Sequence, residues 1–599
     1  MFKKILFSVL IFLFTSATIL AQAKNTYSIS FENTAHHEAV VKAHFSNIKT
    51  GTVTARMSRS SPGRYALHEF AKNVYGVKVT NSKGEPLTVT RPDPYSWTIT
   101  GHDGTVNIEY TLFANRGGGT YSQVDDTHAH LNMPATFMFV DGLEYRPIEV
   151  TFYPREDLDW KIATQLKHES GNTYSAPDMQ YFMDSPTEIS DYKLREFELD
   201  GKKIRFVLHD DSATPQLVDD YFKNVQEIVK QEKAVYGELP DYDYGQYTFL
   251  ACYMPNASGD GMEHRNSTIL TDTEGLANGG FDNNIGTVAH EYFHSWNVER
   301  IRPDDLEPFD FREANMAGEL WFAEGFTSYY TTLILERADI YDAEKYAGSL
   351  NGTFNYVWNS PARKYFNPIE MSYQAPFVDA ATSVDPVNRG NTFISYYSYG
   401  STLGLALDLS LRNLDGNYSL DDFMKMMWEK YGKTEVAYNY KDIEKTLSEY
   451  AGEAFAKGFF SRYILASQMP DYATLFKSVG LKLEQDDDAP YLGATFKAKE
   501  NGLEVSRATQ QGSPAYEAGL DEGDVITTID GKPTTTLEAL DAIKGSHEIG
   551  DKVKVRYIRF GKEKETEITF GKNPAYTISL DENASRKAIQ ARELWLKAK

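Results

Sequence analysis

The chain has too few cysteines to cross-link itself: Cys252 is the single one among 599 residues. It stands in the apolar stretch YTFLACYM, which predicts a buried strand residue rather than a reactive thiol. With no internal disulfide, stability must come from hydrophobic cores, and one core stops growing at roughly 250 to 300 residues. Three or four domains are therefore expected. Basic residues are also in deficit, 61 Lys and Arg against 85 Asp and Glu, for a formal net charge of -24. That balance argues against nucleic acid as a partner, since binding phosphates requires clustered Lys and Arg. Beyond the first residues there is no apolar run of the roughly 18 needed to cross a membrane. Hydrophobic residues at 41% and charged residues at 24% give no sign of a disordered or fibrous chain.

Residues 1–23 combine Lys3 and Lys4, the apolar run ILFSVLIFLF and the small-residue exit Ala21-Gln22-Ala23. These are the three parts of a secretory signal peptide, so the mature chain is expected to begin near Lys24, exported to the periplasm or beyond and free of the membrane. Residues 24–208 carry short alternating runs, such as Val106, Ile108, Tyr110 and Leu112, between turn-forming clusters. They predict an all-β sandwich that contributes no acid, base or ligand set of its own. A helical pattern at 214–236 and an apolar strand at 247–254 open a mixed unit, 209–338. Residues 339–485 read as a helical subdomain, 486–574 as a small separate module with returning strands, and 575–599 as a loosely docked tail. The fold class is thus multidomain α+β.

The chemistry centres on His290-Glu291-Tyr292-Phe293-His294, set in an apolar series at helical spacing with Ile285, Val288 and Trp296. Residues four apart share a helix face, so His290 and His294 can hold one ion while Glu291 leans over the attacking water. A catalytic zinc takes three protein ligands and keeps one position open, which calls for a third donor. Glu324 in LWFAEGF is the candidate: inside an apolar helical stretch, an unpartnered carboxylate would cost several kcal/mol. Glu319 competes locally, but its place at the start of the stretch suits a helix N-terminus. One Zn2+ per chain is expected, to polarise a scissile carbonyl and lower the pKa of water towards about 7.

HEYFHSWN followed by LWFAEGFTSYY resembles the PDZ-containing glycyl aminopeptidase family of gluzincin peptidases over nearly the whole mature chain. The resemblance implies an N-terminal β domain, a thermolysin-like zinc peptidase domain completed by the helical subdomain, and a C-terminal PDZ domain. It further implies that Gly261-Met262-Glu263-His264 is the substrate-binding exopeptidase motif, with Glu263 the counter-ion of the substrate's free α-ammonium. In Tyr396-Tyr397-Ser398-Tyr399-Gly400 it implies an oxyanion-stabilising phenol. Tyr397, three before the glycine, is the matching position, and Tyr396 is its alternative because Tyr399 stands where the family often has a basic residue.

The implied activity is release of one small N-terminal residue, glycine or alanine, from peptides. YLGA at 491–494, GSPA at 512–515 and GDVI at 523–526 are similar to a bacterial-type PDZ domain, whose groove takes an extended peptide as an added strand. Two other readings stay open at this point, a zinc endopeptidase on the same chemistry and a peptide-binding protein with an inactive peptidase fold.

Overall fold

A computed structural model describes residues 23–378, 387–485 and 489–599. The expected signal peptide falls almost entirely outside these residues. Among them, no helix is long and apolar enough to cross a membrane.

The amino-terminal part is built on a seven-stranded sheet and two four-stranded sheets. Strands Asn25–Asn33, Glu38–Phe45 and Val106–Phe113 alternate buried and exposed residues, and their inward side chains, including Ile29, Val41, Ile108 and Tyr110, form the core. The pairing departs from expectation at the end of this region. The strands β1 (Lys193–Leu199) and β2 (Lys202–His209), expected to complete the β domain, instead open the next sheet, because β2 runs parallel to β3 (Gln246–Tyr253). Unbroken burial of Phe206, Val207, Leu208 and His209 fits a strand covered on both faces.

That sheet has five strands in the order β1-β2-β3-β5-β4, with β4 (Asp260–His264) at the edge, antiparallel to β5 (Ser267–Asp272). Cys252 lies in β3 and is buried, as its apolar setting predicts. Helix α1 (Pro215–Tyr236), capped by Thr214 and ended by Gly237 in the left-handed region, packs against α2 (Ile285–Phe293) and α3 (Leu320–Arg337). Beyond these come α4 (Ala343–Trp358), α5 (Tyr396–Arg412) and further helices to Ser478.

The small C-terminal module has its own core around Leu503, Ile526, Val555 and Ile568. It is mounted on a two-stranded ribbon, Leu481–Gln485 paired with Tyr576–Leu580, that belongs to the central unit. Asn351 and Asn355 on α4 bind the ribbon as a neighbouring strand would. Asn355 exchanges two hydrogen bonds of 2.7 Å with the backbone of Tyr576, and Asn351 exchanges bonds of 2.6 and 3.3 Å with that of Ile578. Helix positions four apart rise about 6 Å and strand positions two apart about 6.8 Å, so the two repeats match closely enough for both pairs to form. Asn391 grips the module in the same manner, donating to the Thr509 carbonyl and accepting from the Gln511 amide.

The tail is not loosely docked. In helix α6 (Arg586–Leu596), Trp595 is fully buried against Tyr346 and donates through Nε1 to the Tyr329 hydroxyl of α3 at 3.0 Å. The Trp595 carbonyl accepts from Arg337, whose guanidinium pairs with buried Asp421. The last turn thereby becomes part of the central core. Trp595→Ala is expected to cost about 3 to 5 kcal/mol of stability through the cavity it leaves, read as a lowered midpoint in denaturant unfolding of the full chain.

Candidate active site

Helix α2 ends at Phe293 with His294 as its cap, and the next turn folds back so that the carbonyl of Asn297 faces the imidazole. His294 Nδ1 lies 2.6 Å from the Asn297 carbonyl. A carbonyl can only accept, so Nδ1 carries the proton and Nε2 presents a lone pair in the neutral ring. His290 follows the same logic. Its Nδ1 is 3.1 Å from the Thr331 hydroxyl, whose proton is donated to the Thr327 carbonyl. The two Nε2 atoms lie 3.2 Å apart. Glu324 Oε2, from the neighbouring α3, lies 3.1 Å from His294 Nε2 and 3.7 Å from His290 Nε2.

Three electron-pair donors at this separation repel unless a cation sits among them. A tetrahedral zinc with bonds of about 2.0 to 2.1 Å would space its ligand atoms by about 3.3 Å, so the set fits such an ion without rearrangement. Glu319, the competing carboxylate, accepts instead from the Tyr440 amide at 2.9 Å, away from the imidazoles.

The inner face of this cluster is unusually acidic. Glu263, Glu291 and His294 also bring ligand atoms within 4.8 Å of one another. Glu291 is almost fully buried and its Oε2 has no hydrogen-bond partner among the described residues. Burial pushes its carboxyl well above the usual range, Glu263 and Glu324 push the same way, and His294 opposes them. Three carboxylates in so small a volume need positive charge, which a divalent ion would supply.

Edge strand β4 sets Glu263 and Glu291 face to face. Gly261 lies so close to Glu291 that any side chain there would overlap the carboxylate. Glu263 projects from the same face two residues on, as strand alternation requires. The expected substrate contact of His264 is not met, since alternation turns its imidazole to the other face, where Nδ1 binds Asp184 at 2.8 Å. Met262 is fully buried against Gly63 and Gly119.

Tyr397 comes to the site through a close helix crossing. A Cβ on Gly325 would meet Gly400 Cα, and one on Gly400 would meet the Trp321 carbonyl, so α3 and α5 touch backbone to backbone. The glycine after Glu324 and the glycine ending Tyr-Tyr-Ser-Tyr-Gly are the two halves of one contact. Tyr397 stands with its ring centroid 5.9 Å from that of His290, whereas Tyr396 is buried between Tyr397 and Tyr65. Of the two candidate phenols, Tyr397 is the one beside His290 and partly open to solvent.

Residues 26–191 match the Peptidase M61 N-terminal domain, residues 283–403 the M61 glycyl aminopeptidase domain, and residues 490–570 a PDZ domain. The chain belongs to the M61 glycyl aminopeptidase family. That membership puts this M61 chain among the peptidases. Its fold is that of the aminopeptidase N family protein from Idiomarina loihiensis, with a TM-score of 0.84 over 96% of this chain and 100% of that one, at 23% identity. Curated relatives share shorter stretches. The serine protease Do-like HtrA of Lactobacillus helveticus is 38% identical over 69 residues, and that of Lactococcus lactis subsp. lactis 31% identical over 118. These matches take in 12% and 20% of the M61 chain, which spans only 16% and 26% of those relatives' lengths.

One part of the site was invisible in the sequence. The loop 62–65 of the β domain reaches into it: Gly63 lies over Glu263, Arg64 Nη2 binds the Gly261 carbonyl at 3.1 Å and pairs with Asp260, and the Tyr65 hydroxyl donates to Glu324 Oε1 at 2.5 Å. The only local sign is an unbroken Pro-Gly-Arg-Tyr turn, which by itself predicts a loop.

The helix crossing gives a paired test in this M61 chain. Gly400→Ala should destabilise by about 1 to 3 kcal/mol through overpacking, whereas Gly348→Ala, on the exposed face of α4 with nothing among the described residues within 4 Å, should stabilise by about 0.5 to 1 kcal/mol. Thermal unfolding of both variants beside the wild type checks the contrast.

Proposed function

We propose that this chain is a zinc aminopeptidase that removes one small N-terminal residue from peptides. The observation that carries the reading is the convergence of His290 Nε2, His294 Nε2 and Glu324 Oε2 within 3.7 Å, with Glu291 and Glu263 facing the same space. His290, His294 and Glu324 hold the ion, and since both candidate clusters among the described residues share His294, they support a count of one per chain. When bound there, zinc supplies Lewis acidity, polarising a carbonyl and making water more acidic near neutral pH.

The residues do the rest. Glu291, buried and without a hydrogen-bond partner at Oε2 among the described residues, accepts a proton from the attacking water and returns it to the leaving amine. Glu263 binds the substrate's α-ammonium, which neutralises part of the acidic crowding and fixes the first peptide bond at the reacting centre. The Tyr397 hydroxyl donates to the oxygen on which charge develops. Gly63, packed directly over Glu263, leaves little room beside the ammonium, and this crowding supports glycine or alanine as the residue released.

The PDZ module presents Phe496–Lys499 as the edge strand of its sheet, beside helix Leu537–Lys544. A free strand edge beside a helix supports capture of an extended peptide there. Export rests on the pattern of residues 1–23.

Glycyl and alanyl anilides test the reading against their N-acetylated forms. Release is expected from free-amine substrates only and should stop on chelation. Glu291→Gln should lower kcat by about 100- to 10,000-fold with the fold intact, and Tyr397→Phe by a factor near that of losing one oxyanion donor, about 100- to 1,000-fold. Equal turnover of acetylated and free substrates would instead mark an endopeptidase.

A further inference from the structure

The two large cores of this molecule exchange side chains. Phe309 and Phe311, from the central unit, are buried in the core of the β domain, while Tyr65 of the β domain is buried in the central core. Tyr65 is 2% exposed, and its hydroxyl donates to Glu324 Oε1 at 2.5 Å, on the oxygen opposite the one that faces the imidazoles. A ligating carboxylate with both oxygens free can bind through either or both, and it rotates about its terminal torsion. A phenol on Oε1 removes that freedom and leaves Oε2 as the single oxygen turned towards His290 and His294.

The loop carrying Tyr65 is fastened on both sides. Upstream, the Arg59 amide and the Ser58 hydroxyl donate to the Phe311 carbonyl at 2.8 and 3.0 Å, and the Ser60 hydroxyl donates to the Glu313 carbonyl at 2.7 Å. Next to Tyr65, Arg64 is bound to Asp260 and to the Gly261 carbonyl. The phenol ring meets Tyr396 edge to face at 6.0 Å, which ties it to helix α5 as well. These contacts hold the hydroxyl in place whether or not substrate is present.

We propose that Tyr65 is a positioning residue for the metal, supplied by the β domain, and that zinc affinity therefore depends on that domain being docked. The inference rests on the zinc reading of the triad. Groups that orient a metal ligand from outside the coordination sphere typically change metal affinity by about 10- to 100-fold when removed. Because linkage is reciprocal, a site that needs the docked domain must also favour docking when the metal is bound.

The test uses the full chain loaded with one equivalent of Zn2+ and challenged with the chromophoric chelator 4-(2-pyridylazo)resorcinol. Tyr65→Phe deletes the hydroxyl and keeps the ring against Tyr396, so the metal-free variant should unfold near the wild-type temperature. It should nonetheless yield zinc at about 10- to 100-fold lower chelator strength, and its Co2+ form should show a shifted visible absorption spectrum. Loading with zinc should raise the unfolding midpoint less in Tyr65→Phe than in the wild type. His294→Ala, run alongside, should retain no zinc.

Wild-type zinc retention and an unchanged Co2+ spectrum in Tyr65→Phe, with His294→Ala empty, would overturn the role of Tyr65 and leave the triad standing. Undiminished zinc binding by His294→Ala would overturn the triad itself, and the inference with it.

Discussion

Two imidazole nitrogens and a carboxylate oxygen, stripped of any proton or metal between them, would not gather within 3.7 Å of each other by attraction. Their lone pairs repel, and burial of Glu324 and His294 removes the water that would screen them. Something else in the fold must hold them together until a cation makes the arrangement favourable. Much of the central unit can be understood as that restraint. The Asn297 carbonyl fixes the His294 ring, while the Asn297 side-chain amide donates to the Ala323 carbonyl at 2.9 Å and to the Phe322 carbonyl at 3.2 Å. One residue thus orients an imidazole and ties its chain segment to the helix that carries Glu324. Val298, next in sequence, has φ of 139°, an outlying value for a β-branched residue, so backbone strain is stored at this turn.

The same helix serves several masters. On one side α3 presents Glu324 to the imidazoles, on another its Gly325 makes the backbone contact with Gly400 that brings Tyr397 alongside His290. Further along, Tyr329 and Arg337 receive the carboxyl-terminal Trp595. A helix with such partners on every face is apolar almost all round, which is why it shows no amphipathic stripe and why its only buried carboxylate stands out. Rigidity of this kind suits a metal site, since a ligand displaced by a fraction of an ångström loses both affinity and alignment.

Interdomain contacts use a second recurring device. Asn351, Asn355 and Asn391 each offer a side-chain amide with the donor and acceptor of a peptide group, and each satisfies backbone groups that strand pairing leaves open, on the outer edge of the ribbon or in a loop. The PDZ module is thereby carried on a ribbon and gripped at a loop without sharing a hydrophobic core with the central unit. The β domain, by contrast, is interlocked, with Phe309 and Phe311 crossing one way and Tyr65 the other.

The sequence by itself determined what depends on short spacings. Histidines four apart on an apolar helix share a face, a lone glutamate in LWFAEGF must find a partner, and alternation along 106–112 gives a strand, because these follow from the 3.6-residue and 2-residue repeats of the backbone. Whatever depended on residues far apart was decided only by tertiary structure. Strand β1 alternates like those before it, and only the pairing of its neighbour β2 with β3 assigns the two to the central sheet. Nothing local distinguishes Trp595 as a core residue or Tyr65 as the partner of Glu324, 259 positions away. Burial and hydrogen bonding at such separations are properties of the packed whole, and the chain's local repeats carry no record of them.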